Sequence, residues 1–244
     1  MGSARLAPFL RPSAEVLMSY TMLHRGVLGT KLGMTRVFVE SGDAVPCTLV
    51  EAGPCTVTQV KTAEGNDKYE AVQLAYRTKR EKITSKAMKG HFKKTGGGTE
   101  PHRHLREVWM APGAAAGPKV GDKVTASVFA VGEYVDVIGI MKGRGFTGVI
   151  KRHHFATSKE SHGAHYFWRH AGSIGCRKPE HTRSGTRMAG HYGASRVTVQ
   201  NLKILRVEAE SNLLYVMGAI PGPNGGLVVV RQAKKRKAAT AATA

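Results

Sequence analysis

Cysteine, acidic side chains and long apolar runs are all scarce in this sequence, and each shortage excludes a class of protein. The three cysteines, Cys47, Cys55 and Cys176, are an odd and sparse set. They exclude a disulfide framework and indicate reduced thiols in a cytosol-like compartment. No apolar run approaches the roughly 20 residues of a membrane span, and there is neither an amphipathic basic helix nor a lipid-attachment motif. We therefore predict no membrane partner.

Acidic residues are outnumbered more than two to one by basic residues. Seventeen Asp and Glu stand against 37 Lys and Arg, which leaves a formal net charge of +20. Because a compact protein with this imbalance repels itself, the excess indicates a polyanionic partner. Nucleic acid is the commonest such partner, since each neutralised phosphate releases a condensed counterion. With 244 residues, 41% of them hydrophobic, the chain is long enough to bury a core.

Motifs for catalysis and for nucleotide cofactors are missing or incomplete. The sequence contains no G-x-x-x-x-G-K-[ST] phosphate loop, and Ser161 and Gly163 form no nucleophile elbow. Gly143 to Gly148 spell G-x-G-x-x-G directly after an expected strand. The residues that follow predict neither a helix nor a second parallel strand, and a dinucleotide site needs both. We predict no catalytic residue and no cofactor.

Histidine and cysteine raise the alternative of a metal site. His162 and His165, and Cys176 with His181, have ligand types and spacings that zinc uses. No C-x-x-C pair accompanies them, and the surrounding Lys and Arg repel a cation. We predict no metal site and interpret these histidines as RNA contacts that donate to phosphate or stack on bases. A metal- or nucleotide-dependent enzyme on a β-barrel is the rival interpretation.

Short β-branched or alternating segments, separated by turn clusters, predict a mostly β fold. Such a series is typical of an antiparallel barrel or sandwich. Residues 85–94 predict a short basic helix ended by Gly96–Gly98, and Ser211-Asn212 predict a tight hairpin. The expected strands are 35–39, 45–50, 56–60, 69–76, 105–110, 123–130, 134–140, 196–200, 202–209, 213–217 and 226–231.

Residues 142–191, which we call the basic loop, interrupt this β pattern. They contain ten Lys or Arg, two acids, seven His and eight Gly, and their apolar residues follow no regular period. The loop also carries aromatics, which a disordered segment usually lacks, so we expect it to become ordered against a polyanion. Tyr166, Phe167 and Trp168 are expected to stack on exposed bases; that Phe167 or Trp168 instead anchors the loop itself is an open alternative.

Several motifs along the chain carry a family resemblance. They occur in order and span residues 24 to about 231. The motifs are Gly26–Phe38, Lys142–Arg152, Ser161–Gly163, Gly172–Gly175, Met188–His191, Arg196–Gln200 and Gly218–Gly222. This series resembles the universal large-subunit ribosomal protein three family in its bacterial form.

The resemblance implies a six-stranded barrel of the translation-factor type, with a small α+β insertion and a long irregular basic extension. Residues 24–141 would form the first part of the barrel, with the insertion around 77–110, and residues 192–231 its closing strands. Residues 232–244 are expected to be a basic flexible tail. Residues 1–23 are expected to be a disordered leader, or to precede the real start at Met22; an organellar transit peptide is the alternative.

The resemblance also implies a function. Family members bind large-subunit rRNA directly, near its 3′ end and early in assembly, with the central loop threading toward the peptidyl-transferase centre. Large-subunit proteins fourteen and nineteen are the implied neighbours, with no small-molecule substrate. The implied location is the cytoplasmic ribosome of a bacterium, with a mitochondrial or plastid ribosome as the alternative. A factor that cycles on and off the ribosome is a third interpretation, which the missing phosphate loop opposes.

One departure from the family concerns a modified residue. Some bacterial members carry a methylated glutamine shortly after the Gly-Ser-Ile-Gly motif. Here the stretch reads Cys176-Arg-Lys-Pro-Glu180, without glutamine. The modification is therefore not predicted for this chain.

The predicted RNA-binding residues all lie in the basic loop. Cations neutralise phosphate, histidine and aromatic side chains donate or stack, and glycines allow backbones to approach closely. The set comprises Lys142, Gly143, Arg144, Gly145, Lys151, Arg152, His153, His154, His162, Tyr166, Trp168, Arg169, Arg177, Lys178, Arg183 and Arg187.

Overall fold

The computed structural model describes residues 25–39, 42–65, 67–95, 100–109, 119–178 and 180–236. The predictions for the leader, for Gly96–Gly98 and for the end of the tail beyond residue 236 lie outside these ranges. The chain divides into two compact units, one up to Gly139 and again from Thr198, the other Ile140–Val197. The described part is mostly β, which confirms the predicted class. None of its helices is long and apolar enough to cross a membrane.

Twelve strands and two α-helices are present in the described residues. The first unit also contains two short 3₁₀ turns, Glu81–Ile83 and Ala126–Val128. In chain order the elements are β1 Gly26–Phe38, β2 Ala44–Ala52, β3 Cys55–Lys61, β4 Ala71–Thr78, α1 Lys86–Thr95, β5 His102–Trp109, β6 Lys123–Val124, β7 Tyr134–Ile140, β8 Phe146–Thr147, α2 Val149–His153, β9 Gly190–His191, β10 Arg196–Glu208, β11 Leu213–Met217 and β12 Leu227–Gln232.

Six strands form a closed barrel in the order β1-β12-β7-β10-β11-β2. Strand β1 pairs antiparallel with β12 near its start and with β2 along the rest of its length. The barrel core consists of fully buried aliphatic side chains that these strands direct inward, among them Val27, Val50, Val137, Ile204 and Val230. Burying them supplies the main driving force for closure. The likeness of this barrel to that of translation factors stays a prediction.

A second sheet, in the order β5-β4-β3-β6, carries helix α1. Its central strand β4 is buried on both faces. Leu74 and Tyr76 belong to the same buried cluster as the barrel residues. Gln73 on the other face accepts a hydrogen bond from Thr58 (2.9 Å) and lies 3.0 Å from the His91 ring nitrogen on α1. The sheet is thus covered by barrel residues on one face and by the helix on the other.

This second sheet reaches further along the chain than the range 77–110 predicted for the insertion. It takes in β3 and β4 before that range and β6 after it. The sequence does not distinguish these strands from barrel strands because both kinds are short and apolar. Their assignment depends on pairing partners distant in sequence.

Several predicted elements are confirmed and others are corrected. Helix 85–94 and the hairpin at Ser211-Asn212 are both present, with Asn212 at a left-handed φ of 54°. The predicted strand 123–130 is wrong beyond Val124, since the chain turns into a 3₁₀ segment at Ala126. The strands predicted at 196–200 and 202–209 are one strand, β10, which passes through a left-handed residue at Asn201.

Candidate nucleic-acid interface

The two ends of the basic loop are held together by backbone hydrogen bonds. We call residues 141–153 and 188–195 the neck. Strands β8 and β9 pair antiparallel here, with Phe146 opposite His191 and Thr147 opposite Gly190. Further bonds run from N to O at Met141–Ser195 (3.0 Å), Arg144–Tyr192 (2.8 Å) and Tyr192–Gly145 (2.9 Å).

The residues after the G-x-G-x-x-G motif correct one expectation. They do form a helix, α2, which begins after Gly148 and ends where His154 adopts a left-handed φ of 58°. The helix is only five residues long, however, and strand β7 before it pairs antiparallel with β12. A dinucleotide site needs a parallel β-α-β unit, so the arrangement does not provide one. Gly145 has a left-handed φ of 67°, which accounts for a glycine at that position.

Arg152 and His153 on α2 both contact the opposite side of the neck. The Arg152 Nη1 donates to the carbonyl oxygen of Met188 at 2.8 Å. The His153 Nε2 lies 3.1 Å from the same oxygen. Because a carbonyl oxygen only accepts, Nε2 carries the hydrogen in this contact. Both residues were predicted as RNA contacts, and both are half-buried within the neck.

The aromatic residues near the middle of the loop differ in exposure. Tyr166 is 85% exposed and Phe167 66% exposed, whereas Trp168 is half-buried. The Trp168 carbonyl accepts a hydrogen bond from the Ser158 amide at 3.1 Å, and the Arg169 guanidinium lies 4.8 Å from its ring centre. Tyr166 and Phe167 are therefore available to stack on a partner. Trp168 also packs within the loop, so its two interpretations both stand.

The cations of the basic loop are exposed and lack acidic partners. Nine of its ten Lys and Arg are exposed, and Arg152 is half-buried. Within the described residues, none of the ten forms an ion pair, whereas every ion pair found there lies in the first unit. The exposed predicted cations are Lys142, Arg144, Lys151, Arg169, Arg177, Lys178, Arg183 and Arg187. This concentration of uncompensated charge attracts polyanions.

The remaining predicted residues are also at the surface of the loop. Gly143, Gly145, His154 and His162 are exposed. Sequence reasoning missed Tyr192, whose ring lies 4.8 Å from the Arg144 guanidinium and holds that cation against the neck. No residue-type pattern marked Tyr192, because its distance from Arg144 in the sequence conceals their proximity.

Neither a metal centre nor an activated thiol is found in the described residues. No three His, Cys, Asp or Glu side chains lie close enough together there to hold a metal ion. Burial raises the pKa of the Cys55 thiol to about 12, against a weaker opposing effect of its hydrogen bond to the Leu28 carbonyl. The exposed Cys176 donates to the Lys178 carbonyl at 2.8 Å. None of these groups forms a nucleophile–base pair.

Comparison with known proteins shows the family of the chain. Residues 56–213 match the family described as ribosomal protein L3. A protein of Acidothermus cellulolyticus named large ribosomal subunit protein uL3 is 50% identical over 215 residues, which is 88% of this chain and 95% of that protein. Proteins of the same name from Pelotomaculum thermopropionicum and Corynebacterium diphtheriae are 47% and 45% identical, over 87% and 86% of this chain and 99% and 95% of their own lengths. With this identity over most of its length, the chain belongs to the ribosomal protein L3 family.

Proposed function

We propose that this chain is a structural constituent of the large ribosomal subunit that binds large-subunit rRNA directly through its basic loop. As a member of its family it is a ribosomal component and not an enzyme. The observation that carries the RNA proposal is the exposed, unpaired charge of the loop. Ten Lys and Arg are concentrated in 50 residues that contain only two acids.

The loop offers two kinds of contact to an RNA. Exposed cations such as Lys142, Arg177 and Arg183 suit phosphate oxygens, which set position without reading sequence. The exposed rings of Tyr166 and Phe167 suit unstacked bases, which folded RNA presents in loops and bulges. His154 and His162 add donors at the surface. Among the described residues of the first unit, six Lys and Arg are instead paired with carboxylates, as with Lys61 and Glu107 at 2.9 Å.

The finer parts of the proposal follow the family. The loop threads the RNA toward the peptidyl-transferase centre, the binding site lies in the 3′ domain, and binding occurs early in assembly. Large-subunit proteins fourteen and nineteen are the proposed neighbours. The relatives named above are all bacterial, which supports a bacterial cytoplasmic ribosome over an organellar one. The predicted division into leader, barrel with insertion, basic loop, closing strands and tail remains part of this proposal.

The direct test is binding of the purified chain to a transcript of the 3′ domain of bacterial large-subunit rRNA. An unrelated RNA of equal length serves as the control, and both are titrated over a salt series. We expect the unrelated RNA to lose binding steeply with salt, while the rRNA keeps a preference of roughly 10³-fold or more. If the two RNAs titrate together at every salt concentration, the loop is only a general polyanion binder and the proposal of a defined rRNA site is wrong.

A further inference from the structure

Two neighbouring cations of helix α2 have different surroundings. Lys151 is exposed and makes no hydrogen bond or ion pair with any described residue. Arg152 is half-buried, and its Nη1 donates to the Met188 carbonyl at 2.8 Å. Composition alone gives both residues the same role. The structure distinguishes them, because one guanidinium is already engaged while the adjacent ammonium is not.

The position of the Arg152 guanidinium depends on a glycine across the neck. A Cβ built on Gly190 would overlap Nη1 of Arg152 and lie 3.0 Å from its Cζ. The φ of Gly190 is outside the left-handed region, so its backbone would accept alanine without strain. The three atoms nearest such a Cβ all belong to the Arg152 guanidinium, so alanine at position 190 would displace this group and not the backbone.

The Arg152 contact joins helix α2 to the returning side of the neck. Gly190 pairs with Thr147 across β8 and β9, and Met188 lies two residues before Gly190 in the chain. His153 adds a second donor, 3.1 Å from the Met188 oxygen. The hydrogen bonds of Arg152 and His153 thus tie the helix that leads into the loop to the segment that returns from it. Beyond the neck, the described bonds of residues 171–187 are short-range, such as Thr186 to the Arg183 carbonyl at 2.6 Å.

We infer that Arg152 is a positioning residue, which fixes the directions in which the two arms of the basic loop leave the neck before any RNA is bound. Lys151 beside it is the phosphate contact of this helix. Holding the arms in advance reduces the entropy lost when the loop is ordered on RNA, so Arg152 strengthens binding without contacting the ligand. This inference rests on the proposed function and assigns different roles to two residues within it.

The salt dependence of RNA binding distinguishes a positioning residue from a phosphate contact. The slope of log affinity against log salt counts the phosphates that the protein neutralises. Arg152→Lys and Gly190→Ala preserve every charge but disturb the contact between Arg152 and Met188. We expect each to weaken binding of the full-length chain to the 3′-domain transcript about tenfold, with the slope unchanged. Lys151→Ala is expected to lower the slope by about one.

Two further measurements complete the test. The double variant Arg152→Lys/Gly190→Ala is expected to bind about as weakly as either single variant, because both changes break the same contact. Amide hydrogen exchange without RNA is expected to quicken in the neck of Arg152→Lys and Gly190→Ala but not of Lys151→Ala. Circular dichroism of each variant establishes that the chain has folded.

Defined results would overturn the inference. One is wild-type affinity of Arg152→Lys and Gly190→Ala for the transcript. Another is an Arg152→Ala variant that lowers the slope of log affinity against log salt, as Lys151→Ala does, while amide hydrogen exchange in the neck stays unchanged. Failure of the proposed function is a separate result, in which the wild-type chain shows no preference for the rRNA transcript. Amide hydrogen exchange in the neck, measured without RNA, would still decide whether Arg152 stabilises the neck.

Discussion

Lys61 and Lys151 carry the same charge in opposite surroundings. The Lys61 Nζ lies 2.9 Å from a Glu107 oxygen and 3.4 Å from Asp67, and it donates to the Tyr69 hydroxyl at 2.8 Å. That hydroxyl donates in turn to Glu107 at 2.8 Å. Lys151 has no such partner among the described residues. A lysine enclosed in this way stabilises its own sheet, while an unpaired lysine remains available to a polyanion.

The enclosed lysine sets the acid sensitivity of its sheet. Burial raises the pKa of Glu107, but the hydrogen bonds from Lys61 and Tyr69 and the Lys61 charge outweigh it and hold the pKa below the usual 4.5. The folded state therefore binds fewer protons than the unfolded state in this range. The stabilisation from Glu107 is complete above the ordinary pKa and is lost as pH falls through the lowered value.

We predict that Glu107→Gln reduces the free energy of unfolding near neutral pH and flattens its decline on acidification, because the titrating group is gone. Lys61→Met is expected to cost about 1–2 kcal/mol at neutral pH, since it leaves Glu107 without its charged donor. Urea unfolding across an acidic-to-neutral pH series measures both. The control is Lys89→Met, whose partner Glu81 is 70% exposed, and about 0.5 kcal/mol or less is expected there. Equal costs for Lys61→Met and Lys89→Met would contradict the prediction.

At the scale of elements, one carboxylate joins three segments of the barrel unit. Asp136 on β7 is 1% exposed. One of its oxygens accepts from the Asn201 amide at 3.1 Å, at the left-handed residue within β10. The other accepts from the Lys234 amide at 3.3 Å and lies 3.5 Å from an Arg231 guanidinium nitrogen. Asp136 therefore satisfies backbone donors that the irregularity in β10 and the end of β12 leave without sheet partners.

We predict that Asp136→Asn destabilises the protein by about 2–3 kcal/mol. The asparagine side chain has no negative charge to pair with Arg231, and its NH₂ group would face the N–H donors that the carboxylate now accepts from. The midpoint of urea unfolding measures this cost. Asp122→Asn is the matched control, since the exposed Asp122 accepts one amide hydrogen bond, from Lys119, which asparagine can also accept. A loss at Asp136 no larger than at Asp122 would show that Asp136 does not organise these segments.

The elements that the sequence predicted well are those whose signals are local. Helix α1 and strands β7 and β11 have regular patterns with clear turns at their ends, and they appear within one residue of the expected bounds. The first half of β1 was missed because its glycines suppress the β pattern, and its pairing partner β12 lies some 200 residues away. Helix α2 was missed because five residues are too few for a helical signal, so tertiary contacts stabilise it.

The candidate site shows the same contrast between features that local sequence predicts and features that depend on distant residues. Composition was enough to locate the cationic loop, since charge is a property of residue type. The role of Arg152 was not predictable, because its partner is the backbone carbonyl of Met188, 36 positions away, and every residue has a carbonyl. The distinction between an engaged and a free cation appears only when the chain is folded.

At the scale of the whole molecule, the basic loop can be altered separately from the barrel that precedes and follows it. We predict that replacing residues 155–187 by a Gly/Ser sequence of equal length leaves the urea unfolding of the barrel unit close to wild type. The replacement keeps the neck but removes the loop cations beyond it. A strain with only this variant is expected to accumulate immature large subunits, as measured by sucrose-gradient sedimentation. A wild-type sedimentation profile would contradict the prediction.

The closed barrel has a consequence for the protein before it meets RNA. A sheet that closes on itself presents no unpaired strand edge to another copy of the chain. The four-stranded sheet does have edges, but β6 at one end has only two residues, and β5 at the other carries Arg103 and Arg106. Short or charged edges resist strand-to-strand association. We therefore expect copies of the protein that are not bound to RNA to resist aggregation through strand pairing.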